Sequence, residues 1–535
     1  MKHVTVEKQA ANRNGVKRAA FVALSFILEI IIWWLVMTLL TNYVTVINIA
    51  ARIFGLLVVV GLYSQRKTSA IKTPWIMLIM AFPIFGLMLY VLIGLNVHTR
   101  KMKLLYEDLD NTLLPLLPEN ATAQAELKAK NPAAANMTAY LKRTARFPVY
   151  HDSSIRYFDD ASDGLEAQLK ALAAARHFIF MEYHAIENEE SWKRIENVLV
   201  ERAKAGVDVR VFYDDMGSIG FVNTDFAEAL EKKGIRSFVF NPFKYGLNMF
   251  LNNRDHRKIT VVDGRIGFTG GYNLANEYFN LTHPYGMWKD TGVEIIGPAV
   301  KSLTVMFLEM WNAVRPDDKD RYAEYLEPAA EPLPAELWWE NGALEAQRRN
   351  PSACAFIAPY ADQPMDDIHV GEDVYINMAA KANDYCWFMT PYLILSDELT
   401  NALIEAAMRG VDVRIITPGI PDKKTVYKIT RSFYRDLVAS GVRIYEWTPG
   451  FCHAKMSIAD DTMATCGTIN LDYRSLYHHF ENGCFFAHCD AVTDMRADFE
   501  LTMAESREVT AEYKKDHGFV LTLEQRVLRL FAGLL

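Results

Sequence analysis

Two short segments carry the residues most able to do chemistry. The first reads His256-Arg-Lys258-Ile-Thr-Val-Val-Asp263-Gly264 and is followed by Gly270-Gly271-x-Asn273. The second reads His453-Ala-Lys455-Met-Ser-Ile-Ala-Asp460, with Gly467-x-x-Asn470 behind it. On a strand, residues two apart share a face, so each His is presented together with its Lys. Asp263-Gly264 is a strong hairpin signal, and the chain should double back after it. A neutral imidazole is a nucleophile towards phosphorus, and a second imidazole can protonate a leaving alkoxide. Lys supplies a compact cation for non-bridging phosphate oxygens, and Asn273 and Asn470 supply amide donors. A phosphodiester needs this set in duplicate, one histidine on each side of the phosphorus, with neither metal nor cofactor. A lone HxKxxxxD match arises by chance in on the order of a few per cent of chains of this length. Two matched copies, each trailed by Gly and Asn, do not.

The elements that position these segments are themselves repeated. Helical patterns over 165–176 and 192–205 alternate with apolar strands over 177–183 and 207–213, which implies βα units and a largely parallel sheet. Lys204-Ala-Gly-Val-Asp-Val-Arg210 returns as Met408-Arg-Gly-Val-Asp-Val-Arg414, and Gly234-Ile-Arg236 as Gly441-Val-Arg443. Together with the His/Lys/Asp pair, three matches in one order indicate two similar domains rather than a solenoid. The boundary falls near 331–343, and a site can form where the halves meet. Residues 120–137, rich in Ala and Asn, read as a linker.

Of 535 residues, 51% are hydrophobic and 12% aromatic, enough for large cores and against general disorder. A net charge of −8, from 57 Lys+Arg against 65 Asp+Glu, argues against a nucleic-acid binder. The six cysteines form no CxxC pair, which suggests neither a zinc ribbon nor a disulfide framework. His478-His479 resembles a metal cluster, but no acidic residue shares its spacing, and metal binding is not expected. Cys452, directly before His453, reads as a packing residue.

Three apolar runs crowd the N-terminus: 19–40 with one charge (Glu29), 43–63 with one (Arg52) and 75–95 with none. Each is long enough to cross a hydrocarbon core of about 30 Å. The basic tail, Lys2 to Arg18, should stay cytoplasmic, and Arg66, Lys67 and Lys72 should bring the chain back there. If 75–95 crosses fully, Arg100, Lys101 and Lys103 land outside. Pro83 and Gly86 at its middle would permit a dip and return, which keeps them inside. The charge rule favours a cytoplasmic body.

The paired motifs resemble those of the phospholipase D superfamily and, within it, the bacterial cardiolipin synthases. Supporting segments are 213–218 (YDDMGS), 390–392 (TPY), 431–434 (RSFY), 447–455 (WTPGFCHAK) and 467–476 (GTINLDYRSL). The resemblance implies an α/β fold of two duplicated domains, each a mixed sheet flanked by helices, behind a helical membrane region. The expected divisions are a basic tail (1–18), a membrane region of two or three helices (19–96), a linker (97–145), a first domain (146–331), a linker (332–350) and a second domain (351–535). It implies His256 as nucleophile and His453 as general acid and then base, with Lys258 and Lys455 beside them. Each histidine should have an orienting carboxylate: Glu481 for His453, and Asp290 for His256. Asp263 and Asp460, although part of the motif, are expected to close the hairpins.

The implied reaction converts phosphatidylglycerol into cardiolipin and glycerol through a phosphatidyl-histidine. The expected setting is multi-pass in a bacterial inner membrane, and a homodimer is left open. A hydrolase of the same fold, or use of phosphatidylethanolamine as co-substrate, is the alternative within the enzyme class. A silent lipid-binding module would be signalled by loss of a motif His or Lys, and both copies are complete.

Overall fold

The computed structural model describes residues 44–65, 68–91, 97–242, 253–315, 322–327, 355–366 and 368–514, with a few isolated positions besides. Near the N-terminus, an unbroken apolar stretch forms helix α1 (Val44–Tyr63). Twenty residues at 1.5 Å each reach about 30 Å, the thickness of a hydrocarbon core. Its segment Thr45–Tyr63 has a mean hydropathy of 2.1 and is, among the described residues, the one helix long and apolar enough to cross a membrane. Most of its surface is exposed apolar side chain, including Ile53, Leu57 and Val60, a surface suited to lipid rather than water.

The run at 75–95 does not continue as one helix, contrary to a full crossing. α2 (Ser69–Ala81) stops at Phe82, and α3 (Pro83–Leu89) starts on the proline. Proline cannot extend a helix that precedes it, but suits the first turn of the next one. The chain then turns back: a Cβ on Gly86 would lie 2.6 Å from the Leu78 carbonyl, so only glycine admits this return. Trp75 and Tyr90 close the pair edge-to-face at 5.5 Å, and both helices pack on α1 through Leu62, Ile79 and Leu87. The run at 19–40 lies almost wholly outside the described residues.

The expected linker at 97–145 is instead three helices, α4 (Val97–Leu113), α5 (Ala121–Lys130) and α6 (Pro132–Thr144). Their sparse apolar residues fall on one face, and Tyr106, Leu113, Leu127 and Leu141 are buried in the main core. Ala-rich, polar-faced composition is also good helix composition, which is why it passed for a spacer.

The body holds two sheets. The first comprises β1 (Ser154–Phe158), β2 (Phe178–Tyr183), β3 (Asp208–Asp214), β4 (Arg236–Phe240), β5 (Lys258–Val262), β6 (Ile266–Gly270) and β8 (Gly292–Ile296), in the order β1-β8-β6-β5-β2-β3-β4. Helices α7 (Ala161–Ala173), α8 (Glu190–Lys204) and α9 (Phe226–Glu231) accompany it. Crossovers through α8 and α9 make β2, β3 and β4 parallel, whereas β5, β6, β8 and β1 pair antiparallel. The sheet is therefore mixed, because the Asp263-Gly264 turn, with φ of 52° and 65°, reverses the chain as a hairpin must.

The second sheet repeats this plan with β9 (Phe356–Asp362), β10 (Tyr385–Met389), β11 (Asp412–Pro418), β12 (Arg443–Trp447), β14 (Met456–Ala459), β15 (Met463–Gly467) and β16 (Glu481–Ala487), and adds β17 (Ser506–Glu508) at one edge. Between the sheets runs α10 (Val300–Val314), apolar almost all round and buried on nearly every side, as a helix in a core must be. The two halves are also stitched by backbone. Tyr150 and Ile357 exchange hydrogen bonds of 2.8 and 2.9 Å, and β7 (Met287–Lys289) pairs in parallel with β13 (Gly450–Cys452). The linker expected at 332–350 lies almost wholly outside the described residues.

Candidate functional site

Parallel strands leave their carboxyl ends open for chemistry, and both motifs start there. Lys258 opens β5 directly opposite Tyr183, the last residue of β2, and Met456 opens β14 opposite Met389 at the end of β10. The histidines stand just before these strands rather than on them. The reason is that their backbone is claimed by the other half: His256 N donates to the Phe480 carbonyl at 2.9 Å, and His453 N donates to the Lys289 carbonyl at 2.7 Å.

The same crossing fixes the imidazoles. His256 Nδ1 lies 2.9 Å from both oxygens of Glu481, and His453 Nδ1 lies 2.6 Å from Asp290 Oδ2. The pairing is thus the reverse of the sequence expectation, which gave Glu481 to His453 and Asp290 to His256. Each carboxylate follows the residue whose carbonyl holds the opposite histidine's N–H, so it can only reach across. Gly271 makes room for this, since a Cβ there would sit 2.0 Å from Asp290 Oδ1. A carboxylate on Nδ1 holds the proton there and leaves the lone pair on Nε2. Thr468 Oγ1 also donates to Glu481.

Burial sets the charge state. It pushes His256 well below the usual imidazole range, helped by Lys258 and Lys455. His453 falls to about 3, by burial and the neighbouring Lys455. Burial also lowers Lys258 to about 7 and Lys455 to about 8. Lys258 Nζ donates to the His256 carbonyl at 2.6 Å, and Lys455 Nζ lies 2.8 and 2.9 Å from the ring nitrogens of His453. Two neutral imidazoles therefore line one cavity of about 870 Å³ together with Asn273 and Asn470, and an easily discharged amine stands against each histidine. Asn273 is held by Ala185 N (3.1 Å) and Tyr278 Oη (2.8 Å), whereas Asn470 Oδ1 has no hydrogen-bond partner.

Asp263 and Asp460 stand at the far ends of β5 and β14, away from this cavity. The Asp263 carboxylate accepts from the backbone N–H groups of Arg176, His177 and Phe178, each at 2.8 Å. Asp460 does the same for Asn383, Asp384 and Tyr385 at 2.7–2.9 Å. Besides standing at the hairpin turns, both tie down the loop entering the neighbouring strand, a structural part played outside the cavity. Burial raises the Cys452 thiol to about 12, which removes it as a nucleophile.

Further residues complete the site beyond the paired motifs. His184 lines the cavity, with its ring 4.9 Å from that of His256, and donates from Nδ1 to the Asp255 carbonyl at 2.7 Å. His479, Glu481 and His256 form one buried group. Behind them, Arg257 lies buried in the field of Glu182, Glu309 and Asp255. Burial and Arg257 act oppositely on Asp255, which still rises to about 7. Beside His453 the wall is aromatic: the rings of Tyr278 and Trp288 lie 5.3 Å away, and that of Phe451 5.8 Å. The charged run Arg254-Asp-His-Arg-Lys258 was an available signal, but in sequence it looks like solvated surface.

Comparisons with known proteins bear on the family and the fold. A sequence family described as "Cardiolipin synthase, PLD-like domain" matches residues 169–311 and 375–503, and one described as "Phospholipase_D-nuclease N-terminal" matches 50–94. An uncharacterized protein of Streptococcus mutans is 40% identical over 88% of this chain and 98% of its own. A cardiolipin synthase of Geobacillus kaustophilus is 30% identical over 89% and 91%, respectively, and cardiolipin synthase 2 of Bacillus cereus is 29% identical over 89% and 88%. Among solved structures, phosphatidylserine synthase of Haemophilus influenzae superposes with a TM-score of 0.54 at 13% identity, over 75% of this chain and 98% of that one. At that identity the likeness concerns the fold alone.

Proposed function

The chain belongs to the cardiolipin synthase family of the phospholipase D superfamily, phosphatidyltransferases, and from that premise we propose that it joins two phosphatidylglycerol molecules into cardiolipin and glycerol. The observation that carries this reading is the pair of imidazoles, each with a carboxylate on Nδ1 and both lining one cavity.

His256 Nε2 attacks the phosphorus of one lipid, a P–N bond forms, and the P–O bond to glycerol breaks. His453 gives its proton to the departing oxygen. Burial and Lys455 favour the neutral form of His453. The diester brings a negative charge between Lys258 and Lys455, which favours imidazolium and so makes the acid on binding. Lys258, Lys455, Asn273 and Asn470 hold the non-bridging oxygens as charge gathers on them. His453 then takes the proton from a glycerol hydroxyl of the second lipid, whose oxygen displaces His256. Diester replaces diester, and the direction follows substrate and product levels.

The apolar α1 holds the site at a bilayer, where both substrates reside and competing water is scarce. With α2 and α3 turning back on themselves, the cations Arg100, Lys101 and Lys103 stay on the side of Lys72. We place the body on the cytoplasmic face of a bacterial plasma membrane on this charge pattern. The test is a lipid assay on purified protein in phosphatidylglycerol vesicles. Cardiolipin with equimolar glycerol, lost in His256→Ala, is the expected result. Phosphatidic acid without cardiolipin means that water is the acceptor, and the chain is then a hydrolase. Cardiolipin that forms only after phosphatidylethanolamine is added assigns that lipid as co-substrate instead.

A further inference from the structure

Joining two phosphodiesters sets a requirement that the paired motifs do not meet. The donor phosphate sits between the histidines, but the acceptor carries a phosphate of its own, one glycerol unit from the attacking hydroxyl. One wall of the cavity is built for an anion and has no task in the chemistry above. Arg254 is buried at 2% exposure, and its Nε and Nη2 are taken by Asp214 at 2.9–3.1 Å. Its Nη1 has no hydrogen-bond partner, although the residue lines the cavity. His479 is buried beside it, lines the same cavity and has no hydrogen-bond partner at either ring nitrogen. Its ring lies 5.6 Å from that of His256.

The backbone brings these groups together. Phe480 N donates to the Arg254 carbonyl at 2.9 Å, and His479 N donates to the Arg474 carbonyl at 2.9 Å. Arg474 lines the cavity as well. The nearby carboxylates have partners of their own, although the charge of Asp472 also acts on Arg474. Asp214 is bound to Arg254, and Asp472 accepts from Ser475 N at 2.9 Å. Glu481, 3.7 Å from His479 Nδ1, is held by His256 and Thr468. Burying a guanidinium N–H without a partner is costly, and a phosphate oxygen would satisfy it with a charge-assisted bond.

We propose that Arg254, His479 and Arg474 form a second phosphate subsite, which binds the phosphodiester of the acceptor lipid. This rests on the transferase reading above, and the test separates the two. Purified full-length protein is given phosphatidylglycerol vesicles and isotope-labelled glycerol in phosphate-free buffer. Exchange of labelled for unlabelled glycerol uses the donor subsite alone, whereas cardiolipin formation uses both.

In Arg474→Gln, and separately in His479→Gln, the ratio of cardiolipin to exchanged glycerol should fall about tenfold, the scale of one charge-assisted hydrogen bond. Arg474 is the safer position because, unlike the buried Arg254, it is exposed. Equal losses in both reactions, or an unchanged ratio in both variants, would overturn the proposal. So would a ratio unchanged in phosphate-free buffer but lowered by inorganic phosphate in the wild type only, since that assigns the wall to a soluble anion. If the wild type yields neither product, the transferase reading itself fails, whatever the variants do.

Discussion

The two half-sites share one skeleton and differ in their walls. Around His256 the neighbours are the imidazoles of His184 and His479 and the guanidinium of Arg254, and Glu481 accepts with both oxygens at equal distance. Around His453 they are Tyr278, Trp288 and Phe451, and Asp290 accepts through one oxygen while Lys455 lies against the ring. Duplication supplied the strand, the histidine, the lysine and the carboxylate twice. What has diverged is the side of the cavity on which polar groups can be held. A symmetric donor site suits a symmetric event, in-line displacement at phosphorus, and an asymmetric wall suits reactants that enter and leave on different sides.

The largest effect should come from the part that is shared. His256→Ala and His453→Ala should each lower cardiolipin formation by roughly a thousandfold or more. The double variant should be little worse than either single one, because the two act as a unit. Losses that multiply would separate the half-sites. Next come the crossed carboxylates: Glu481→Gln and Asp290→Asn should each cost about a hundredfold, within the range for general acid–base groups. Their distinguishing mark is chemical modification by diethyl pyrocarbonate, mapped by mass spectrometry. Glu481→Gln should alter the reactivity of His256 and spare His453, and Asp290→Asn should do the reverse. The opposite assignment would restore in-line pairing.

The crossing also marks where the sequence ceased to be informative. The motifs, the hairpin at Asp263-Gly264 and the duplication all rest on local spacing, and strand and turn chemistry transmit spacing faithfully. Which carboxylate meets which histidine depends on how two halves face each other, and no residue spacing within one half records it. His479 was set aside although Glu481 stands two residues on, because His256 reaches it only through the fold. The helices at 97–144 were legible in principle, but their apolar residues are few and were outweighed by Ala and Asn. Pro83 and Gly86 did signal the break in the third apolar run; its geometry, with Gly86 against Leu78, needed the structure.

A smaller effect concerns pH. A lysine is charged below its pKa, and Lys258 and Lys455 sit at about 7 and about 8 because they are buried. As pH rises through that window the free enzyme loses the cations that receive the diester. kcat/KM for phosphatidylglycerol should then fall about tenfold or more between about pH 7 and pH 9. Lys258→Arg keeps its charge and should move that limb upward; a flat profile would contradict the assignment. The smallest catalytic effect is expected far from the cavity. Asp263→Asn and Asp460→Asn each weaken three backbone hydrogen bonds. They should lower stability by about 1–3 kcal/mol, seen as a lower Tm in detergent, while turnover per folded molecule changes only a few-fold. A Tm equal to that of the wild type would remove their structural role.

The most direct measurement is to trap the covalent intermediate. Wild-type protein mixed with phosphatidylglycerol is quenched within one turnover in base, where a phosphoramidate to histidine survives, then digested and mapped. The account predicts a phosphatidyl group on the peptide containing His256, with one glycerol released per adduct, and none on that containing His453. An adduct on His453, or steady turnover with none on either histidine, would contradict it.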